Sequence, residues 1–569
     1  MFGTTAQIRH IELMREPFLN VSRLLTETWQ AFERDVARLL VSNGFQDVRL
    51  VAGSGDHGAD VLGVKNGELW VIQCKFATDG CPSAGAVNQV GEASRFYKAD
   101  RIYVASSRKA GPATYEAVKR WKALGVDIGV LDPATLLELA RKSPEYSIHR
   151  RELRDYQHEA VEKFVASLRE TGRGQVVLAT GLGKTVVLAE SVAQLFRDGA
   201  IPGGQAMVLA GTRELVDQLQ RSFWDQLPKW IPTHRLMGGE CPGGWEGITF
   251  ATIQSAVSRL DELPAFGLVL IDEAHHVGSE TFRRVTDHLS EAMIGGVTAT
   301  PWRGDGYDID ELLGPPVMKI GIADGLKNGF LCEADYRLLA DNIDWKRVHA
   351  QSRNRYSLSQ LNRLLLLPTR DEEAARAVRE TFDNERRRSV IVFCSSVHHA
   401  NSFAATLRLF GFRAEPITGE MTARERDRTM EGFREGRLDI VTTRDLFNEG
   451  VDVPDVDMIV FMRVTHSRRI FVQQLGRGLR ISPKKTKVVV LDFVSDLRRI
   501  AEVVELETAV RGDIERLRFP GIVQFRDEGA GSFMLNWMRD QADLFMREGD
   551  PILELPTFDC QKSNNQGIV

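Results

Sequence analysis

The sequence predicts an α/β protein: a small mixed α/β domain at the N-terminus, followed by two doubly wound parallel sheets. Three observations carry that expectation. The chain has 569 residues, too many for one hydrophobic core, so three or four domains are expected. Short apolar runs alternate with helical stretches from 152 to about 335, and the same style returns from 371 to 495, as successive βαβ units require. Residues 29 to 140 read differently, as helix, strands, helix, strand.

Residues 1–27 read as a short helical lead and 28–142 as the first domain. Phe32, Val36, Leu39 and Leu40 recur at helical spacing within Gln30 to Ser42. Leu69 to Lys75, Arg101 to Ser106 and Gly125 to Leu131 read as strands, with Val61-Leu62 a shorter strand-like piece. The polar run from Lys142 to Ser147 contains Pro144, which predicts a linker over 143–151. In 152–335 the runs Val176–Leu178, Ala206–Ala210, Leu268–Ile271 and Gly296–Thr298 read as buried parallel strands. Residues 336–370 read as a connection. In 371–499 the corresponding strands are Ser389–Phe393, Asp439–Val441, Met458–Phe461 and Lys487–Asp492. Residues 500–569 start helically and become loop-rich.

Composition narrows the class. Hydrophobic residues make up 43% and charged residues 27%, with a net charge of −5, which is ordinary for a globular protein. No overall basic field announces nucleic acid, although binding needs only a local positive groove. The six cysteines include no CxxC pair and no zinc-type spacing, so they read as reduced packing thiols. No apolar run approaches the roughly 20 residues that span a bilayer, and the first residues lack the apolar core of a secretory signal. A cytoplasmic protein with no membrane partner is expected.

Three motifs carry chemistry. Leu178-Ala-Thr-Gly-Leu-Gly-Lys-Thr185 follows a strand and opens a helix, where backbone N–H groups can meet phosphate oxygens. Thr180, Gly181 and Gly183 form the loop, Lys184 reaches the β- and γ-phosphates, and Thr185 offers a hydroxyl to Mg²⁺. Asp272-Glu273 ends an apolar strand about ninety residues later. Asp272 suits a Mg²⁺ ligand and Glu273 a group that orients the attacking water. Arg477 and Arg480 suit arginine fingers on a γ-phosphate, and they also read as a surface basic patch with Arg468, Arg469, Lys484 and Lys485.

A second site is expected near the N-terminus. Phosphodiester hydrolysis needs a metal on the scissile phosphate and an activated water. Gly55 to Asp60 is a glycine-flanked turn ending in Asp60, a candidate metal ligand, and the next strand carries Gln73 and Lys75 on one face. Glu33, on the preceding helix, can add a carboxylate. Asp56 reads as a turn former and His57 as a solvated loop residue, Phe223, Trp224, Trp230 and Trp245 as packing aromatics, and, after Thr300-Pro301, Trp302 as packed and Arg303 as locally paired.

Residues 152–495 resemble a superfamily 2 helicase of the DEAH-containing group that includes the motor subunits of type I and type III restriction enzymes. The resemblance rests on the phosphate loop, Leu270 to His276, Gln473 to Arg480 and several shorter runs: Leu153 to Gln157, Gly211 to Leu215, Ala251 to Gln254, Val297 to Pro301 and Asn448 to Pro454. It implies two RecA-like lobes, ATP as cofactor, DNA as duplex or single strand, and an adenine-reading role for Gln157. Residues 28–140 resemble the Mrr branch of the PD-(D/E)xK restriction endonucleases, through Glu33, Asp60, Gln73, Lys75 and Gln89. Gln73 stands where the parent pattern has Glu, a replacement typical of that branch. Together the resemblances imply an ATP-dependent translocase coupled to a Mg²⁺-dependent DNA endonuclease. Its expected setting is restriction, antiviral defence or repair, with partner proteins of such a system. A second reading keeps the ATPase and makes the first domain a DNA clamp, so that the chain loads or signals to other effectors. A third is an RNA helicase.

Overall fold

The computed structural model describes residues 16–51, 58–77, 84–277, 279–299, 309–339, 355–357, 360, 371–444, 456–462, 474–482, 485, 487–493, 523–524 and 552–554. Asp56, His57, Cys81, Pro301, Trp302, Arg303, Asn448 to Pro454, Arg468, Arg469, Lys484 and Cys560 lie outside them. The chain divides into two compact units. One is Met1–Val176, Thr185–Thr298 and Asp308–Met318; the other is Val177–Lys184, Ala299–Tyr307 and Lys319–Val569.

The first unit opens with α1 (Val21–Thr26) and α2 (Trp29–Ser42), the latter capped by Thr28, whose hydroxyl accepts from Ala31 N–H. A five-stranded sheet follows in chain order: β1 (Gln46–Leu50), β2 (Val61–Lys65), β3 (Glu68–Lys75), β4 (Arg101–Ser106) and β5 (Ile128–Leu131). The first two pairings are antiparallel and the last two parallel. Asn66 and Gly67 both take positive φ between β2 and β3, the backbone a tight two-residue hairpin needs. The sequence reading had no β1 and only the first two residues of β2.

Three layers result. Phe32, Val36, Leu39 and Leu40 of α2 pack on one sheet face with Ile72, Cys74 and α5 (Pro133–Lys142), introduced after α3 (Ala84–Tyr97) and α4 (Pro112–Ala123). Val87 and Val90 of α3 and Ala117 of α4 pack on the other face, against Val71 and Val104. The expected helical face is therefore the one buried.

Helix α6 (Asp155–Thr171) leads into a seven-stranded sheet. Its strands are β6 (Arg173–Leu178), β7 (Gln205–Ala210), β8 (Thr233–Leu236), β9 (Gly247–Thr252), β10 (Leu268–Asp272), β11 (Met293–Thr298) and β12 (Met318–Ile320), with α7 (Lys184–Arg197) and α8 (Arg213–Gln226) among the connections. The spatial order is β12-β6-β11-β10-β7-β9-β8. Every residue of β10 is buried, as expected of a parallel strand covered on both faces.

The second unit holds another seven-stranded sheet. Its strands are β13 (Glu333–Leu339), β15 (Val390–Cys394), β16 (Ala414–Pro416), β17 (Ile440–Thr443), β18 (Met458–Met462), β19 (Lys487–Phe493) and β20 (Val523–Gln524), in the order β16-β17-β15-β18-β19-β13-β20. The sequence-based division placed residues up to 335 with the preceding sheet and 336–370 in a connection. Instead β13 runs across that boundary and pairs in parallel with β19 along its whole length. A short antiparallel pair joins β14 (Arg355–Ser357) to β21 (Ile552–Glu554). Among the described residues, no helix is long and apolar enough to cross a membrane.

Candidate nuclease and nucleotide sites

The first site forms where β2 starts and β3 ends. Asp60 N–H donates to the Ile72 carbonyl at 2.9 Å, and the Cys74 N–H donates to Asp60 Oδ2 at 2.6 Å. The carboxylate is thus fixed beside the residues that precede Lys75. Side chains alternate along β3: Ile72 and Cys74 enter the layer under α2, while Val71 enters the layer under α3. Gln73 follows Val71 and is buried to 2% exposure.

The Gln73 amide meets Gln89 Oε1 on α3 at 2.9 Å. In the amide orientation that satisfies both its ends, it donates to the Ala86 carbonyl at 2.6 Å and accepts from Lys75 Nζ at 3.0 Å. Glu33 comes from α2, on the opposite side of the sheet. Burial pushes the Cys74 thiol well up, Asp60 and Glu33 add to the rise, and Lys75 opposes it. Cys74 N–H holds Asp60 at this end of β3, Lys75 is the next residue, and α2, which carries Glu33, packs on Cys74 through Phe32 and Val36. Beyond that end, Ser107 N–H donates to the Lys75 carbonyl at 3.1 Å and Arg108 Nε to the Ala77 carbonyl at 3.2 Å. The sequence reading did not single out Ala86, Ser107 or Arg108, because their proximity follows from strand pairing.

Among the described residues no group of three or more His, Cys, Asp or Glu is arranged to hold a metal ion. The donor set here suits a hard cation that retains water. Mg²⁺ commonly binds through one or two carboxylates and completes its shell with water and substrate phosphate, and Asp60 is a fixed carboxylate at this place.

The nucleotide residues fall into both units. In the first unit Asp272 is the last residue of β10, and Glu273 follows it with φ 52°. A left-handed backbone is uncommon for a non-glycine residue. Buried His275 joins the turn to the next strand: its Nδ1 lies 3.0 Å from Thr298 Oγ1 and 3.3 Å from Glu273 Oε2. Thr185 begins the body of α7. Gln157 sits in the first turn of α6, where its Oε1 accepts from Arg154 N–H at 3.0 Å.

In the second unit Gly181 and Gly183 take φ of 96° and 84°, as a loop presenting N–H groups inward requires. A Cβ added at Gly181 would meet the Gly476 carbonyl at 3.3 Å and Arg480 Cγ at 3.4 Å, and one added at Gly476 would meet Thr180 Cβ at 2.4 Å. The loop that ends at Lys184 is thus packed against the segment that carries both arginines. Arg477 is only 7% exposed, and Lys485 is buried with Nζ donating to the Val456 and Gly478 carbonyls. The surface-patch reading of these two residues does not hold. Of the aromatics read as packing, Phe223 and Trp224 are buried, Trp230 meets Phe196, and Trp245 meets Phe266.

Three family models match the chain in succession. They are a restriction endonuclease of the Mrr catalytic type over residues 24–140, the res subunit of type III restriction enzymes over 150–303, and the helicase conserved C-terminal domain over 373–482. The DNA 3'-5' translocase XPB2 of Sulfurisphaera tokodaii is 27% identical over 59% of this chain and 81% of its own length. The endonuclease subunit of the type I restriction enzyme EcoAI from Escherichia coli is 25% identical over 62% of this chain and 46% of its own. Two fungal helicase relatives called IRC3, from Saccharomyces cerevisiae and Schizosaccharomyces pombe, are 27% and 29% identical, and the matches span 51% and 58% of their lengths. In fold, the chain is similar to the ATP-dependent type ISP restriction-modification enzyme LlaBIII bound to DNA. The TM-score is 0.52 at 16% identity, covering 91% of this chain and 42% of that one.

Proposed function

We propose that this chain, which joins an Mrr-type restriction-endonuclease domain to the conserved domains of a superfamily 2 helicase, moves along DNA at the expense of ATP and cuts it. The observation that supports the reading is the fixing of the Asp60 carboxylate by the Cys74 N–H, between Gln73 and Lys75, whose side chains hydrogen-bond each other, in a chain that also carries the glycine-rich phosphate loop ending in Lys184-Thr185.

Asp60 and Glu33 would hold Mg²⁺, which when bound withdraws charge from a phosphate oxygen and makes water more acidic. The remaining chemistry belongs to the chain. Lys75 places an ammonium beside the scissile phosphate and offsets the charge that develops there. Gln73 carries no charge and is buried, so its part is to aim Lys75 Nζ by hydrogen bonding. In the motor, Lys184 and the 180–184 backbone bind the phosphates, with Thr185 and Asp272 as Mg²⁺ ligands. Glu273 orients the water, Gln157 meets the adenine, and Arg477 and Arg480 stabilise charge on the γ-phosphate. Restriction of foreign DNA in the cytoplasm, alone or with partner proteins, is the setting this pairing of activities suits.

The test separates the two engines. Lys184→Ala is expected to lower DNA-stimulated ATP turnover by at least about a hundredfold, from the loss of a charged phosphate contact made by preorganised groups. Asp60→Ala and Lys75→Ala are expected to abolish plasmid cleavage while ATP turnover stays near wild type. Normal cutting by Asp60→Ala sinks the nuclease assignment. One observation favours the second reading: the Gln73 amide is taken up by protein partners, leaving two carboxylates for a metal. A chain that shifts DNA in a gel yet never nicks it with Mg²⁺ or Mn²⁺ supports a clamp and loader instead.

A further inference from the structure

The helix that carries Glu33 and packs on Cys74, the neighbour of Lys75 and partner of Asp60, also fastens the nuclease domain to the domain that follows it in the same compact unit. Arg34 forms a two-pronged ion pair with Glu240, one prong at 2.9 Å. Arg38 donates to the Ile231 carbonyl at 2.7 Å and lies over the Phe18 ring. Asp35 accepts from Arg23 Nε at 2.5 Å, and Arg23 in turn donates to the Thr233 carbonyl at 2.8 Å. Trp224 of α8 completes the seam by packing into the nuclease core itself. Arg23, Arg34 and Arg38 are 8%, 6% and 1% exposed.

Buried guanidinium groups are costly unless their hydrogen bonds are met. Here most of the partners lie across the seam, so docking and satisfaction are one event. The segment 143–151 is pinned as well. Lys229 Nζ donates to the Arg141 and Ser143 carbonyls, Arg150 pairs with Glu190, and Arg197 donates to Tyr146. Glu190 and Arg197 belong to α7, the helix that starts at Lys184. The strap between nuclease and motor is therefore held by the phosphate-loop helix.

We propose that Arg34 and Arg38 are positioning residues for DNA cleavage: by locking α2 onto the neighbouring domain, they hold Glu33 in register with Asp60 and Lys75. Glu33 is the residue before Arg34, and successive helix residues are about 100° apart around the axis. A roll of α2 that freed the arginines would therefore swing Glu33 away from the end of β3. The inference rests on the nuclease reading above, and it makes cutting a property of the docked pair of domains rather than of a tethered nuclease.

The test uses the full chain carrying Arg34→Glu, Glu240→Arg, or both. Plasmid cleavage is followed across a Mg²⁺ titration, with ATP turnover and hydrogen exchange of α2 on the same samples. Each single reversal is expected to raise the Mg²⁺ needed for half-maximal cleavage by about tenfold, as removing a support of a metal ligand does, with ATP turnover within about twofold of wild type. The double reversal re-forms the pair and is expected to restore both the Mg²⁺ requirement and the slow exchange of α2. Should the single reversals fail to fold, Arg34→Lys keeps the charge and loses the planar fork, and is expected to shift the Mg²⁺ requirement in the same direction by less. Wild-type cleavage by variants whose α2 exchanges fast overturns the proposal. So does an unrestored Mg²⁺ requirement in a double variant whose α2 is again protected. If wild type and Asp60→Ala both fail to cut, the nuclease reading falls and takes the positioning role with it. Cutting that is lost in Asp60→Ala but untouched in Arg34→Glu removes the positioning role alone.

Discussion

Two charged networks of similar make-up behave differently because of where they sit. At the seam of the first unit, Arg23, Glu27, Asp35, Arg34 and Glu240 are almost wholly enclosed. In the second unit, Arg337, Glu385 and Lys487 tie β13, β19 and the end of a helix together while remaining partly open to solvent, with Asp335 buried beneath them. The same residue types thus make a locked seam in one place and a screened edge in the other. Removing one partner of a buried pair strands a charge in a poor dielectric, whereas removing one partner of an exposed pair leaves the other to water.

The largest expected difference is at Asp35. Asp35→Ala leaves the Arg23 guanidinium enclosed without its hydrogen-bonded carboxylate and should cost about 3–5 kcal/mol in the opening of α2, read by native-state hydrogen exchange. A cost below about 1 kcal/mol would place this network with the exposed one.

Glu27 sharpens the contrast through pH. Burial alone would raise it, but His234, whose Nδ1 lies 3.4 Å from Glu27 Oε1, and the Arg23 charge hold it down to about 2, from an ordinary 4.5. A carboxyl group depressed in the folded state stabilises above its unfolded pKa and loses that contribution as pH falls toward the folded value. The extra stability of wild type over Glu27→Gln should therefore be full at neutral pH and shrink from about pH 4.5 downward, measured by thermal melting across pH. A pH-independent difference would mean that Glu27 acts by packing.

The smallest effect is expected at Glu385. Arg337 and Lys487 hold its carboxyl down to about 2, yet both partners are partly solvated. Glu385→Gln should cost less than about 1 kcal/mol and fade in roughly 0.5 M salt, read by urea midpoints at two ionic strengths. A salt-independent loss would contradict the screened-edge description.

The sequence disclosed these regions unequally. Strand cores such as Leu268–Asp272 and Val390–Cys394 were legible because buried parallel strands are continuous apolar runs. The edge strand β1 was not, since Gln46–Leu50 is mostly polar and exposed. The chemistry was legible in its parts: glycines, Lys184, Asp272, Asp60 and Lys75 stand in local motifs. Which groups meet was not, because the Gln73 contacts to Ala86 and Gln89 depend on how α3 lies on the sheet. The seam was hidden for a further reason. Arg34, Asp35 and Arg38 look like the solvated side of an amphipathic helix, and only partners two hundred positions away turn that side into an interior.

One consequence concerns β13. It precedes the rest of its sheet in the chain by a long stretch, yet it covers the whole length of β19. A fragment cut to begin at Asp371 would leave β19 paired with β18 on one side only and its other edge of backbone N–H and C=O groups bare, and a long apolar edge of that kind invites pairing with other copies. The half of this protein that looks self-sufficient in sequence would, by itself, be prone to aggregate.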